Sequence, residues 1–275
     1  MIIYNDEVRE SLNTLKRKVY DLSIMYLFDG KQVVQDGEKI LLLQKMCKGD
    51  DFMITLRDGI SYKLKCIYLH LDFLKQIGDG HNKKLANTKD SIKQTQLFYR
   101  CVEEHMFLVE DIIFHLISLF DYLGNLIGYL YYGDSKRKIK WKGIMTCCRK
   151  PEWERKETGS EKIYKSSASE YLIDINDKII SKLQEYRAEL IHYKYDLPSG
   201  KMSINIFEHD FSQFSVYTPK ELLKIICAID NEIKKDDKVK IYDALSILLK
   251  SISLKTCKIV DYLTSDLQKT IKLIR

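Results

Sequence analysis

The chain has 275 residues, of which 45% are hydrophobic, so it is long enough to bury a sizeable core as one large domain or two small ones. Three prolines and twelve glycines are too few for a fold of many short strands, and they predict a mostly helical protein. A formal charge of +6, with 31% charged residues of both signs, fits an ordinary solvated surface and permits an anionic partner without establishing one.

The seven cysteines and the N-terminus bear on the cellular compartment. No C-x-x-C spacing indicates a zinc site, so reduced thiols in a cytoplasmic protein are expected. The N-terminus becomes charged within six residues and lacks the apolar core of a secretion signal.

Residues 112–133 approach the ~20 apolar residues of a membrane span. His115, Asp121 and Asn125 interrupt that stretch, which predicts a buried core helix and no membrane association.

The first half of the chain carries helical patterns. Apolar residues at three- and four-residue spacing predict a helix over about residues 8–26, and a second is expected around 37–47. Residues 50–78 would also suit a hairpin turning at Asp58-Gly59, but their apolar stripe keeps a helical register for six turns, and that length favours a helix. A loop over 78–90 and a long helix from about Ser91 to Tyr132, broken at most once, are predicted next.

The second half is more varied. Residues 133–165 lose periodicity and crowd basic side chains, which predicts an exposed excursion. A helix is expected from about Ser169 to Tyr195, a short strand or hairpin within residues 201–217, and helices over about 219–233 and 238–272. The predicted class is all-α, an up-down helical bundle with a small β-hairpin or loop excursion. Residues 1–60 are interpreted as an N-terminal helical extension and 61–275 as the bundle, or the whole as one continuous domain.

The motifs of most common enzyme classes are missing from the sequence. It holds no Gly-rich phosphate loop, no H-E-x-x-H and no G-x-S-x-G, so neither a metal nor a cofactor is expected. What remains is R-A-E-L-I-H-Y, with Arg187 and His192 near the end of a predicted helix. Arginine offers a charged planar fork that matches phosphate, and histidine exchanges a proton near neutral pH.

Cleavage of RNA by its own 2′-hydroxyl needs an acid and a base, and one copy of this motif supplies a single histidine. A two-fold dimer would bring two copies together, which suggests a composite site at a homodimer interface with RNA as substrate.

The same spacing occurs at Arg100 and His105, so spacing alone is weak evidence. The two acids between Arg100 and His105 are expected to pair with that arginine. In a regular helix, residues five apart are about 140° apart in rotation, so Arg187 and His192 converge only if the helix loosens at its end. The alternative is structural: Arg187 pairs with Glu185 or Glu189, and His192 caps carbonyls at the helix end.

Several other residues are candidates for supporting roles. Asp121 and Asn125 lie one turn apart and form either a buried polar pair or a group that orients the site, while His115 is interpreted as a core histidine. The basic residues around Trp141, among them Lys138 and Lys140, either contact RNA while the indole stacks on a base, or belong to a solvated loop. Tyr193 is a further candidate for stacking on a nucleotide.

The R-x-x-φ-φ-H-Y stretch at a helix end, together with the apolar stretch SLFDYLGNLIGYLY, resembles the HEPN superfamily (higher eukaryotes and prokaryotes nucleotide-binding), and its larger bacterial members most. The resemblance covers about residues 60–270. It implies a bundle of four or more helices, a homodimer, and a metal-independent endoribonuclease in a toxin–antitoxin or phage-defence system, with an antitoxin or other protein partner.

In this resemblance, the family's arginine falls on Arg187 and its histidine on His192. Active members often carry Asn, Asp or His after the arginine, where this chain has Ala188. The alternative is therefore a non-catalytic module of HEPN type that binds a nucleotide or a protein.

Overall fold

The computed structural model describes residues 3–27, 51–132, 138–150, 161–191, 200–205, 210–230, 233–234 and 238–274. Three long helices come first: α1 (Ile3–Leu27), α2 (Asp51–Ala86) and α3 (Ser91–Tyr132). The helix predicted over residues 8–26 is confirmed. The helix predicted around 37–47 lies outside the described residues.

Helix α2 forms because one apolar residue recurs every third or fourth position. The members of this stripe are each at most 3% exposed: Met53, Leu56, Ile60, Leu64, Ile67, Leu71 and Leu74. A helical period buries all of them on one side, whereas strand alternation would divide them between two faces. The choice of helix over hairpin is confirmed. Residues 60 and 61, the predicted domain boundary, both lie within this helix.

The loop predicted over residues 78–90 is wrong for most of its length, because α2 continues to Ala86. Gly78, in this part of α2, packs against His105: a Cβ added to Gly78 would lie 3.5 Å from the His105 Nε2 atom. Leu85 is also buried, so packing overrides the polar composition of the segment. Only residues 87–90 connect the helices, and Asp90 Oδ1 accepts hydrogen bonds from the first backbone N–H groups of α3.

Helix α3 runs unbroken for 42 residues. Its second half lies in the core, as the sequence predicted, with these side chains at most 1% exposed: Ile112, Ile113, Leu116, Leu119, Phe120, Leu123, Leu126 and Ile127. Across the described part of the chain, none of the helices has the length and apolar character that crossing a bilayer requires.

The exposed excursion predicted over residues 133–165 is wrong for the residues the structure describes there. Trp141–Arg149 forms a short helix, α4, and Glu161–Tyr164 forms a single turn, α5. Trp141, Ile144, Met145, Cys147 and Cys148 are buried, so α4 is an amphipathic helix with one face in the core. The lysine-rich composition of the segment concealed this apolar face. Residues 133–137 and 151–160 lie outside the described residues.

The next helical run contains an irregular turn. Helix α6 (Ser169–Ile175) passes into a π-helical turn (Asn176–Ile180) and then into α7 (Ser181–Ile191). A π turn adds a residue to the helical cycle and so changes the direction of the side chains that follow. The predicted helix over 169–195 is therefore confirmed as far as Ile191, and its last residues lie outside the described part.

The predicted hairpin is confirmed as β1 (Gly200–Asn205) and β2 (Asp210–Val216), which pair antiparallel from Gly200↔Val216 to Asn205↔Asp210 with a bulge at Ser203/Ile204. Helix α8 (Lys220–Cys227) is shorter than predicted, because a turn follows at residues 228–229. Helix α9 (Ile241–Ile274) is the long terminal helix that the sequence predicted. The all-α class is confirmed.

The chain divides into two compact units, each assembled from three segments. The first comprises Met1–Arg9, Lys65–Ile117 and Lys178–Ser251, and the second comprises Glu10–Leu64, Ser118–Asp177 and Ile252–Arg275. Within the first unit, α2 and α3 run antiparallel: His70 stacks on His115, and further along the pair His81 bonds to Glu104. Arg187 belongs to this first unit.

Candidate functional site

Arg187 lies half-buried on α7, one residue beyond the buried Tyr186. Tyr186 and Leu183 anchor the helix in the core, and this orientation brings the arginine to the edge of the core. Its guanidinium carbon is 4.9 Å from the centre of the Phe114 ring on α3. Such a cation–π contact holds the planar group in place while leaving its N–H donors able to bind an anion.

The structural alternative for Arg187, an ion pair with Glu185 or Glu189, is not what the structure contains. Within the described residues, no hydrogen bond or ion pair joins this guanidinium to a carboxylate. Arg100, the other arginine in an R-x4-H spacing, differs: its Nε donates to Glu104 Oε1 at 2.8 Å. The expectation that neighbouring acids pair with Arg100 is therefore confirmed.

The second match also places a histidine beside a cysteine, a pairing that could suggest a nucleophile. His105 Nδ1 is 2.7 Å from the Cys101 carbonyl oxygen and 3.5 Å from Cys101 Sγ. Burial raises the pKa of the Cys101 thiol to about 12, and burial also lowers the pKa of His105. The thiol stays protonated at neutral pH, so this pair is part of the core and not a nucleophile with its base.

A series of rings extends from Arg187 into the contact between α2 and α3. The Phe114 ring, which the arginine covers, meets the His115 ring edge-on at 5.6 Å between centres. The His115 ring stacks on His70 at 5.2 Å with an angle of 11° between planes. His70 Nε2 in turn lies 3.8 Å from Asp111 Oδ2, close enough for an ion pair when the ring is protonated.

Two of the predicted site residues cannot be placed. His192 and Tyr193 lie outside the described residues, which end in this part of the chain at Ile191. Ala188, next to Arg187, is exposed.

Trp141, interpreted either as a residue that stacks on a base or as part of a solvated loop, is a core residue, and neither interpretation holds. Its side chain is 0% exposed, and its Nε1 donates to Asn176 Oδ1 at 2.9 Å. The ring meets Phe120 edge-on at 5.0 Å. A base cannot reach an indole enclosed on both faces, so Trp141 supports the second unit instead of binding a ligand.

Asp121 and Asn125 also belong to the second unit. Asp121 Oδ1 accepts from the backbone N–H of Trp141 at 3.4 Å, and Asn125 Nδ2 donates to the Asp121 carbonyl at 2.9 Å. Both side chains are half-buried. These contacts support α3 and the start of α4, while Asn125 Oδ1 is buried with no hydrogen-bond partner in the described part of the chain.

Lys138 and Lys140, the other candidate RNA contacts, are exposed beside the first turn of α4. Arg149 at the end of the same helix pairs with Asp177. Both lysines lie in the second unit, whereas Arg187 lies in the first. Among the described residues, no group of three or more His, Cys, Asp or Glu side chains has an arrangement that could hold a metal ion.

The neighbours of Arg187 were missed by sequence reasoning for a specific reason. Phe114 contacts Arg187 because α7 approaches α3, and His70 stacks on His115 because α2 pairs antiparallel with α3, so local sequence spacing reveals neither contact. One signal was present: Phe107 and Phe114 are seven residues apart on α3 and so share one face, where their side chains are 66% and 43% exposed.

Comparison of the chain with family models, with curated proteins and with solved structures finds no match.

Proposed function

We propose that the chain is a metal-independent endoribonuclease of HEPN type in which Arg187 holds the scissile phosphate and His192 transfers a proton. The R-x4-H motif and the all-α class are what this assignment rests on. A homodimer, a cytoplasmic location, a role in phage defence or in a toxin–antitoxin pair, and an antitoxin partner are parts of the same proposal.

The observation that carries the proposal is the contrast between two arginines with the same spacing to a histidine. Arg100 is neutralised by Glu104, and its histidine is 5% exposed. Arg187 rests on an aromatic face, with no carboxylate partner among the described residues. A guanidinium held in this way is suited to donate two N–H hydrogen bonds to two oxygens of a phosphate in a bidentate contact.

The second candidate function is RNA or nucleotide binding without cleavage. The observation in its favour is Ala188, an exposed residue at the position where active HEPN proteins often carry a polar side chain. Arg187 would bind phosphate in either case, so the two functions differ in turnover and not in affinity.

The test is cleavage of a single-stranded RNA in EDTA by the wild type and by Arg187→Ala, His192→Ala and Arg100→Ala. The proposal predicts that the first two variants lose at least ~100-fold in rate, as expected when a proton-transfer group or charge stabiliser is removed. Arg100→Ala is the matched control and should keep the wild-type rate. RNA binding without cleavage by the wild type would favour the second function, and equal cleavage by all four proteins would contradict this site.

A further inference from the structure

We propose that a lysine-lined cavity in the second unit binds the phosphate groups of a small organic polyphosphate. The cavity has a volume of about 760 Å³ and lies between the end of α3, the α5 turn with the residues that follow it, and the C-terminal part of α9. Small-molecule sites typically have volumes of ~300–1,000 Å³. All three segments belong to the second unit, whereas Arg187 belongs to the first, so this site does not depend on the proposed ribonuclease.

Asp266 joins the three segments that form the cavity wall. Its carboxylate accepts hydrogen bonds from Tyr131 Oη at 2.9 Å, from Ser167 N at 3.1 Å and from Ser167 Oγ at 2.9 Å. Lys269 Nζ, at 3.4 Å, is a fourth donor. A carboxylate has about four acceptor positions, so the protein's own donors occupy Asp266. This carboxylate therefore fixes the wall in place and repels an incoming anion less than an open one would.

Three lysines line the same cavity: Lys162, Lys165 and Lys269. Lys165 pairs with Glu161 and Lys269 pairs with Asp266, but these lysine side chains are 69% and 67% exposed, and ion pairs of exposed groups are weak. Lys162 is exposed and forms no ion pair with any residue that the structure describes. Three ammonium groups against two carboxylates leave an excess of positive charge in the cavity, which favours an anion.

The arrangement of the lysines favours a ligand with several phosphates. An ammonium group is a compact charge that binds phosphate oxygens without a fixed geometry, so three of them on two segments can each contact a different oxygen. On the α3 side, the half-buried Leu130 and Tyr131 provide an apolar wall for the organic part of the ligand. Burial raises the pKa of Tyr131, so its phenol stays a neutral donor to Asp266 at neutral pH.

Calorimetric titration of the full chain in EDTA and low salt tests the site, with ATP, inorganic triphosphate and adenosine as probes. ATP and triphosphate should bind with one site per chain, and adenosine should not bind. Lys162→Ala and Lys269→Ala should each weaken ATP binding ~5–10-fold. Both side chains are exposed, so the variants should fold, and their melting temperatures check this.

Two control variants locate the binding. Lys142→Ala removes an exposed lysine of the same unit that does not line the cavity, and it should bind ATP like the wild type. Arg187→Ala should also bind ATP like the wild type. Loss of ATP binding in Arg187→Ala, with none in the lysine variants, would overturn the inference because the phosphates would then bind in the first unit.

A variant with the opposite sign separates this site from a general effect of charge. Glu161→Gln removes the carboxylate that pairs with Lys165 and should tighten ATP binding ~3–5-fold. Glu170→Gln removes an exposed carboxylate on α6 that does not line the cavity, and it should change binding less than 2-fold. Equal effects of the two changes would contradict a local site.

Failure of this inference is distinguishable from failure of the proposed ribonuclease. The titrations contain no RNA, so a wild type that binds ATP through Lys162 and Lys269 but cleaves no RNA would support the cavity and contradict the nuclease. A wild type that binds neither ATP nor triphosphate would overturn the inference. Binding of single-stranded RNA that depends on Lys162, without binding of ATP, would overturn it as well, because the lysines would then belong to an RNA-binding surface.

Discussion

Arg187 and Arg100 show that the meaning of a short motif is decided by what each side chain touches. Both arginines precede a histidine by five residues, and both lie on helices. Arg100 is held by Glu104, one turn along its own helix, whereas Arg187 lies on the ring of Phe114, which another helix provides. Only the second arrangement leaves the N–H donors of the guanidinium able to bind an anion from solution.

Replacing Arg187 by lysine tests whether the shape of the guanidinium matters as well as its charge. Lysine keeps the charge but loses the bidentate fork and the flat surface that stacks on Phe114. We expect Arg187→Lys to bind uncleavable RNA within ~10-fold of the wild type but to lose ~100-fold in cleavage rate. Wild-type cleavage by the lysine variant would mean that charge alone is sufficient.

Gly124 and Gly80 are helical glycines with opposite surroundings. A Cβ on Gly124 would lie 2.6 Å from the backbone nitrogen of Trp141, whereas a Cβ on Gly80 meets nothing within 4 Å. Gly124→Ala should lower the free energy of unfolding by about 1–3 kcal/mol, since backbone cannot move aside easily. Gly80→Ala should raise it by up to about 1 kcal/mol through helix propensity. Urea unfolding measures both, and equal effects would contradict the packing of α4 on α3.

At the scale of elements, the period of the apolar residues predicted the long helices correctly. Residue composition gave wrong predictions for the segments 78–90 and 133–165. The stripe from Met53 to Leu74 identified α2 because a buried helical face leaves a repeating pattern. The prediction of a loop over 78–90 was wrong because the glycines there suggested a turn. Gly78 instead lies within α2, where its backbone packs against His105. The ring series at Arg187 joins three helices, so no local pattern in the sequence could contain it.

The π-helical turn between α6 and α7 is hydrogen-bonded to the buried Trp141. Trp141 Nε1 donates to the side chain of Asn176, the first residue of the π-helical turn, and both residues are buried. Trp141→Phe should lower the free energy of unfolding by about 2–4 kcal/mol, because it leaves space in the core and removes the hydrogen bond from the indole to Asn176. Chemical denaturation measures this loss. A variant as stable as the wild type but defective in RNA binding would contradict the structural role of the indole.

For the molecule as a whole, acid should destabilise the fold through His105 and Glu104. Burial lowers the pKa of His105, so its contribution to stability is complete above about pH 6.5, its ordinary value, and is lost as the pH falls below it. The hydrogen bond from His81 lowers the pKa of Glu104, whose contribution is lost below about pH 4.5.

Melting temperature should therefore fall between pH 7.5 and 5, and His105→Gln should flatten that slope while keeping a donor for the Cys101 carbonyl. An unchanged slope in His105→Gln would show that other groups set the acid limit.

The central claim is that Arg187 holds a phosphate, and binding of an uncleavable, 2′-deoxy-substituted single-stranded RNA tests it most directly. Affinity would be measured over a range of salt concentrations for the wild type, Arg187→Ala and the control Arg100→Ala. The account predicts that Arg187→Ala binds ~10–100-fold more weakly and that its slope of log affinity against log salt falls by about 0.7, the loss of one phosphate contact. Arg100→Ala should match the wild type. Wild-type affinity and slope in Arg187→Ala would contradict the claim.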